Sequence, residues 1–109
     1  MATGKDLRRL ALALEGTTEA PHFDRTAFKA ARTYATLGPD GREANFYFTP
    51  DQQQFKCIMA PEAFSPLPNK WGEQGATMAT LSKLSAAELK AALEMAWANA
   101  QANKRKPRR

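Results

Sequence analysis

The feature that most constrains this chain is the segment Ser85-Ala86-Ala87-Glu88 with the apolar stripe behind it. A serine hydroxyl ahead of a helix accepts from the amide three residues on, and a glutamate there reaches back to the serine amide, a reciprocal capping box. Leu84 and Leu89 flank it as a hydrophobic staple, and Leu89, Leu93, Ala96, Trp97 and Ala100 continue an apolar stripe at helical spacing. A helix with one apolar face must be covered, and the middle of the chain supplies the cover. Three short segments rich in Phe, Tyr and Thr, near Thr26–Lys29, Thr33–Leu37 and Ala44–Phe48, have the residue types that pack on a pleated surface. The turn Gly38-Pro39-Asp40-Gly41 joins the last two, since proline presets φ and glycine accepts positive φ; the turn around Ala30–Arg32 has no glycine. In the third segment Ala44, Phe46 and Phe48 share one face and Asn45 and Tyr47 the other, so one side packs on helices and one meets water.

The same rules place the remaining elements. Leu7, Leu10, Ala11 and Leu14 make a helical stripe over Lys5–Glu15, with Thr3 as N-cap and Gly16 as stop. Glu19 to Asp24 reads as a loop, because Pro21 disfavours helix for the residue before it. Thr49-Pro50-Asp51-Gln52 is a second capping box that opens a short helix, with Phe55, Ile58 and Met59 on one face and Pro61 ending it. Phe64 to Gly75 is dense in Pro and Gly and reads as irregular or as an edge strand, with a strand after it over about Ala76–Leu81. The fold class expected is α+β: an N-terminal helix, an antiparallel β-sheet of about five strands, a short middle helix and a C-terminal helix packed on the sheet.

A chain of 109 residues with 43% hydrophobic residues has the length and apolar content for one self-sufficient core, expected over 1–103. One cysteine, Cys57, and one histidine, His22, exclude a disulfide framework or a Cys/His metal cage within one chain. No cofactor or metal is expected, and the cytoplasm is the expected compartment. No apolar run approaches the roughly 18–20 residues of a membrane span. The net charge of +5 suggests a nucleic-acid partner until it is located. Lys104, Arg105, Lys106, Arg108 and Arg109 hold five of the 16 basic residues, and the other 11 balance 11 acidic ones. The excess belongs to a tail, 104–109, expected to be mobile because it has no apolar face to bury.

The order of these segments resembles the MmcQ/YjbR family. The resemblance runs from Leu10–Leu14 and Glu19-Ala20-Pro21-His22-Phe23 through Thr26-Ala27-Phe28-Lys29 and Tyr34-Ala35-Thr36-Leu37. It is most distinctive in Thr49–Gln54, Pro61–Phe64, Pro66-Leu67-Pro68 and Trp71-Gly72-Glu73-Gln74-Gly75. This chain departs at Ala30-Ala31-Arg32, where the family often has glycine, and at Ala76, where it often has a large aromatic. The resemblance implies an antiparallel sheet backed by helices, similar to the frataxin-like arrangement, and DNA binding through hairpins that act as a pair of wings.

The residues name no catalytic constellation. His22 has Asp24 nearby but no Ser or Cys in a nucleophile signature, Cys57 sits among apolar helix neighbours, and the carboxylates are scattered. No enzyme is expected. Candidate nucleic-acid contacts are Arg25, Lys29 and Arg32 around the first hairpin, Arg42 after the second turn, and Lys70 beside Trp71. The tail adds Lys104, Arg105, Lys106, Arg108 and Arg109; five phosphate contacts there give a log–log salt slope of roughly −4 to −5. Such binding to DNA is largely non-specific. The bland reading of the same residues is solvated surface charge. Trp71-Gly72-Glu73-Gln74-Gly75 reads as structural, its glycines allowing positive φ and Trp71 covering the core edge. The alternative puts Trp71 and Lys70 at the lip of a groove that meets a base or a ligand, and makes the chain a protein- or small-ligand-binding module that uses either this groove or the exposed sheet face. The oligomeric state is not legible in the sequence.

Overall fold

A computed structural model describes the backbone of residues 2–105 and the side chains of residues 2–101. Among the described residues, four α-helices and six strands follow in the order α1 (Gly4–Leu12), β1 (Thr18–His22), β2 (Arg25–Lys29), β3 (Thr33–Leu37), β4 (Glu43–Tyr47), α2 (Pro50–Met59), β5 (Phe64–Pro66), α3 (Lys70–Glu73), β6 (Ala76–Thr80) and α4 (Ala86–Arg105), with a 3-10 turn at Leu81–Lys83 before α4. All strand pairs are antiparallel, in the order β1-β2-β3-β4-β6-β5. The expected α+β class stands, with one strand more than expected.

The capping boxes form as the sequence requires. Ser85 Oγ accepts from the Glu88 amide at 3.1 Å while Glu88 accepts from the Ser85 amide at 2.8 Å. Thr49 and Gln52 repeat the exchange at 3.2 and 2.9 Å, and Thr3 with Asp6 does so at 3.2 and 3.0 Å. The bond from the Thr3 amide holds the Asp6 carboxyl below its ordinary range.

α4 packs across β3 and β4 and against α1. Leu7, Phe28, Phe46, Leu89 and Leu93 are wholly buried between the helices and the sheet. Each such side chain contributes roughly 1.5–3 kcal/mol on burial. Phe46 and Phe48 stack at 5.6 Å, and Phe64 meets Phe46 edge-on at 6.5 Å, tying β4 to β5. The alternation in β4 is as expected: Ala44, Phe46 and Phe48 are buried, while Asn45 and Tyr47 are half-buried on the other face.

Three expectations change. The segment Glu19–Asp24 is not a loop: β1 pairs with β2 over five positions, Thr18 opposite Lys29 through His22 opposite Arg25. Pro21 is compatible with this because β1 is an edge strand, where the missing N–H removes no ladder bond. Within the Pro/Gly-rich stretch lies one helical turn, α3, capped by Asn69, whose side chain accepts from the Gly72 amide at 3.2 Å. Lastly, α4 continues through Arg105, so Lys104 and Arg105 extend the helix backbone. The rest of the expected tail, Lys106 to Arg109, lies outside the described residues.

Candidate functional site

A groove of about 740 Å³ opens at the side of the molecule where several element ends meet. The β1–β2 turn supplies His22 and Phe23, the β2–β3 turn Arg32, and the end of β4 Tyr47. Trp71 and Gln74 come from α3 and the residue after it, and Ala96, Asn99 and Ala100 from the last turns of α4. The core forms part of its wall through Tyr34 and Phe48.

Backbone geometry fixes this wall. At Gly75, φ is 114°, and an added Cβ would strike the Phe48 carbonyl; at Gly72 it would strike the Leu67 carbonyl. Gly72 and Gly75 are therefore structural, and they seat α3 against the ends of β4 and β5; the positive φ expected of both is found at Gly75, while Gly72 is set by close approach. Gln53 clamps the same loop, donating to the carbonyls of Gly72 at 2.8 Å and Ala76 at 2.9 Å. Asn99 links α4 to β4 and α2, donating to the Tyr47 carbonyl at 3.4 Å and to Gln52 at 2.7 Å.

Trp71 does not cover the core edge. It is 62% exposed at the groove mouth. Phe23 is 94% exposed and has a φ of 59°, a left-handed conformation that favours glycine and that costs a non-glycine residue roughly 1–3 kcal/mol. Its ring meets His22 edge-on at 4.9 Å. Two large aromatic side chains thus stand in water beside a cavity, one of them on strained backbone.

The expected cationic set divides. Arg25 is spent inside the fold: its guanidinium donates to both Glu43 carboxylate oxygens at 2.8 and 3.1 Å and to Thr36 Oγ1 at 2.9 Å. This half-buried bidentate pair leaves little of Arg25 for a phosphate, which corrects its candidacy. Arg42 stands before β4, at the far end of β3 from Arg32. Lys29, Arg32, Arg42 and Lys70 are exposed and make no ion pair among the described residues. Of the candidates whose side chains are described, Arg32 and Trp71 are brought together in the groove.

Two titratable groups that could act as nucleophiles, Cys57 and Tyr34, are shifted away from activation. Burial pushes the Cys57 thiol up, the direction of an inert rather than a reactive cysteine. Burial also raises the Tyr34 phenol, with its 2.8 Å hydrogen bond to Thr17 pulling the other way. Among the described residues no group of three or more His, Cys, Asp and Glu side chains is placed to hold a metal ion. No helix among them is long and apolar enough to cross a membrane.

No protein-family model matches the sequence, and no curated protein matches it. Among solved structures, the fold is similar to that of protein DR2400 of Deinococcus radiodurans, which carries a DUF419 domain. The two superimpose with a TM-score of 0.78 at 19% identity, over 100% of this chain and 84% of that one. The architecture is thus similar to that of this DUF419-domain protein. At this identity the likeness speaks for the fold alone.

Sequence reasoning favoured a structural role for Trp71 and offered the groove lip, with Lys70, as the alternative; Trp71 and Arg32, the latter singled out by charge, line the groove, and Lys70 is not among its lining residues. That reasoning missed Phe23, Tyr47, Gln74 and Asn99 as groove residues. Tyr47 carried a signal, since the alternation in β4 turns it away from the core; Phe23 carried none.

Proposed function

We propose that this chain is a divergent MmcQ/YjbR-family protein, DUF419 denoting that family, and that it works as a non-catalytic binding module with its ligand in the Trp71 groove. The observation that carries this reading is the pairing of concavity with exposed aromatic surface: Trp71 and Phe23 stand open at a cavity of about 740 Å³. Small-molecule sites fall in the range of roughly 300–1,000 Å³ and combine apolar walls with a few polar groups. Among the described residues that line this groove no nucleophile–base pair is formed, and this supports binding over turnover. The lone cysteine and balanced charge of the body favour a cytoplasmic setting. An NMR screen of small aromatic compounds against the full chain tests the reading. Shifts concentrated at Phe23, Arg32, Tyr47 and Trp71 are expected; compounds that perturb only other surfaces overturn it.

Double-stranded DNA is the second reading, favoured by Lys29, Arg32 and Lys70, which are exposed and make no ion pair among the described residues. Here the hairpin turns orient on the duplex and the basic C-terminus adds electrostatic affinity. Changing Lys104, Arg105, Lys106, Arg108 and Arg109 to Gln separates the two contributions. Residual duplex binding with a salt slope of about −2 to −3, from roughly −0.9 per phosphate, supports a folded DNA surface. Complete loss reduces DNA binding to the terminal charges.

A further inference from the structure

We propose that the groove recognises a flat aromatic ring bearing an anionic group, the chemistry of a nucleobase with its phosphate; this deepens the binding reading above and rests on it. The exposed Trp71 and Phe23 surface calls for the ring, because any planar π-system gains by stacking on such faces without base-specific hydrogen bonds. Arg32 calls for the charge. Among the described residues that line the cavity it is the one lysine or arginine, and none of them is a carboxylate that would neutralise it. An unpaired guanidinium in an aromatic-walled concavity attracts anions more strongly than the same group on an open surface, because the low-dielectric walls focus its field. A neutral ligand filling the groove would remove water from Arg32 and return no counter-charge. Gln74 adds an exposed carboxamide to the wall, a donor and acceptor suited to the polar edge of a ring. The cavity of about 740 Å³ is of small-ligand size, which points to a mononucleotide or a single unstacked base rather than a duplex.

The same chemistry has two sources, a free nucleotide or the end of a single strand. An amide-resolved NMR titration of the full chain with adenosine monophosphate, adenosine, inorganic phosphate and a short single-stranded oligonucleotide distinguishes them, repeated with Arg32→Gln and Trp71→Ala. Adenosine monophosphate is expected to shift the groove amides and to bind about tenfold more tightly than adenosine, as for one ionic contact of roughly 1.4 kcal/mol. Arg32→Gln removes that advantage, and Trp71→Ala weakens both ligands about tenfold. Tighter binding of the oligonucleotide at the same amides assigns the source to a strand, and weaker binding assigns it to the free nucleotide. Equal affinity for adenosine and its monophosphate, unchanged by Arg32→Gln, overturns the anionic ligand and leaves the groove a binding site. No groove shift with any probe, adenosine included, overturns both.

Discussion

Two regions of this molecule use the same side chains to opposite ends. Where α4 covers the sheet, Phe28, Phe46, Leu89 and Leu93 are 0% exposed, whereas at the groove mouth Trp71 and Phe23 keep 62% and 94% of their surface. Apolar area contributes to folding when it leaves water, so the first region holds the fold and the second adds little to it. Exposed aromatic surface beside a cavity, with Gly72 and Gly75 letting the Trp71 segment approach the Leu67 and Phe48 backbone, is instead free to be buried by a ligand.

The largest effect that sharpens this contrast is expected from Leu93→Ala. Removing a fully buried leucine should lower the unfolding free energy by about 3 kcal/mol in urea titration, while Trp71→Ala changes it by less than about 1 kcal/mol. Similar losses at both would erase the distinction. Gly75→Ala comes next, at about 2 kcal/mol, because a methyl group there meets the Phe48 carbonyl at a left-handed φ. A neutral outcome in thermal denaturation would mean that the groove wall is not built as described.

Tyr34 belongs to both regions, lining the groove while its hydroxyl donates to the Ala11 carbonyl at 3.4 Å. Its raised folded-state pKa means that stability is fully present below the unfolded value of about 10 and declines as pH rises past it, since unfolding then releases a proton. Stability measured between neutral and strongly alkaline pH should fall less steeply in Tyr34→Phe, which itself costs about 1 kcal/mol at neutral pH. Parallel curves for the two proteins would remove Tyr34 as the cause. The smallest effect has the opposite sign: Phe23→Gly relieves the backbone and should raise stability by up to about 1 kcal/mol while weakening groove binding. Loss of stability in that variant would show that Phe23 serves the fold.

Much of the fold was legible because it is local. Thr49 and Ser85 cap helices through residues three positions away, and the alternation of Ala44, Phe46 and Phe48 states which face of β4 is buried. The features hidden in the sequence depend on distant partners. The apolar face of α2 shows this against α4, since both open with a capping box and carry apolar residues at helical spacing. Yet Phe55, Ile58 and Met59 remain 56–67% exposed, while Leu89, Leu93 and Ala96 are buried. A cap fixes where a helix starts; only tertiary packing decides what covers it. Arg25 resembles its neighbouring cations until strand register brings Glu43, 18 residues on, beside it. The position of Phe23 in the groove depends on a turn conformation that its sequence does not advertise.

The most direct test of the groove as the binding site is a crystallographic soak of the full chain with a panel of small aromatic acids. Fragments gathered between Trp71, Phe23 and Arg32, with few on the outer face of α2, are the predicted result. An empty groove with fragments clustered on Phe55, Ile58 and Met59 would contradict it and move the binding surface to that helix.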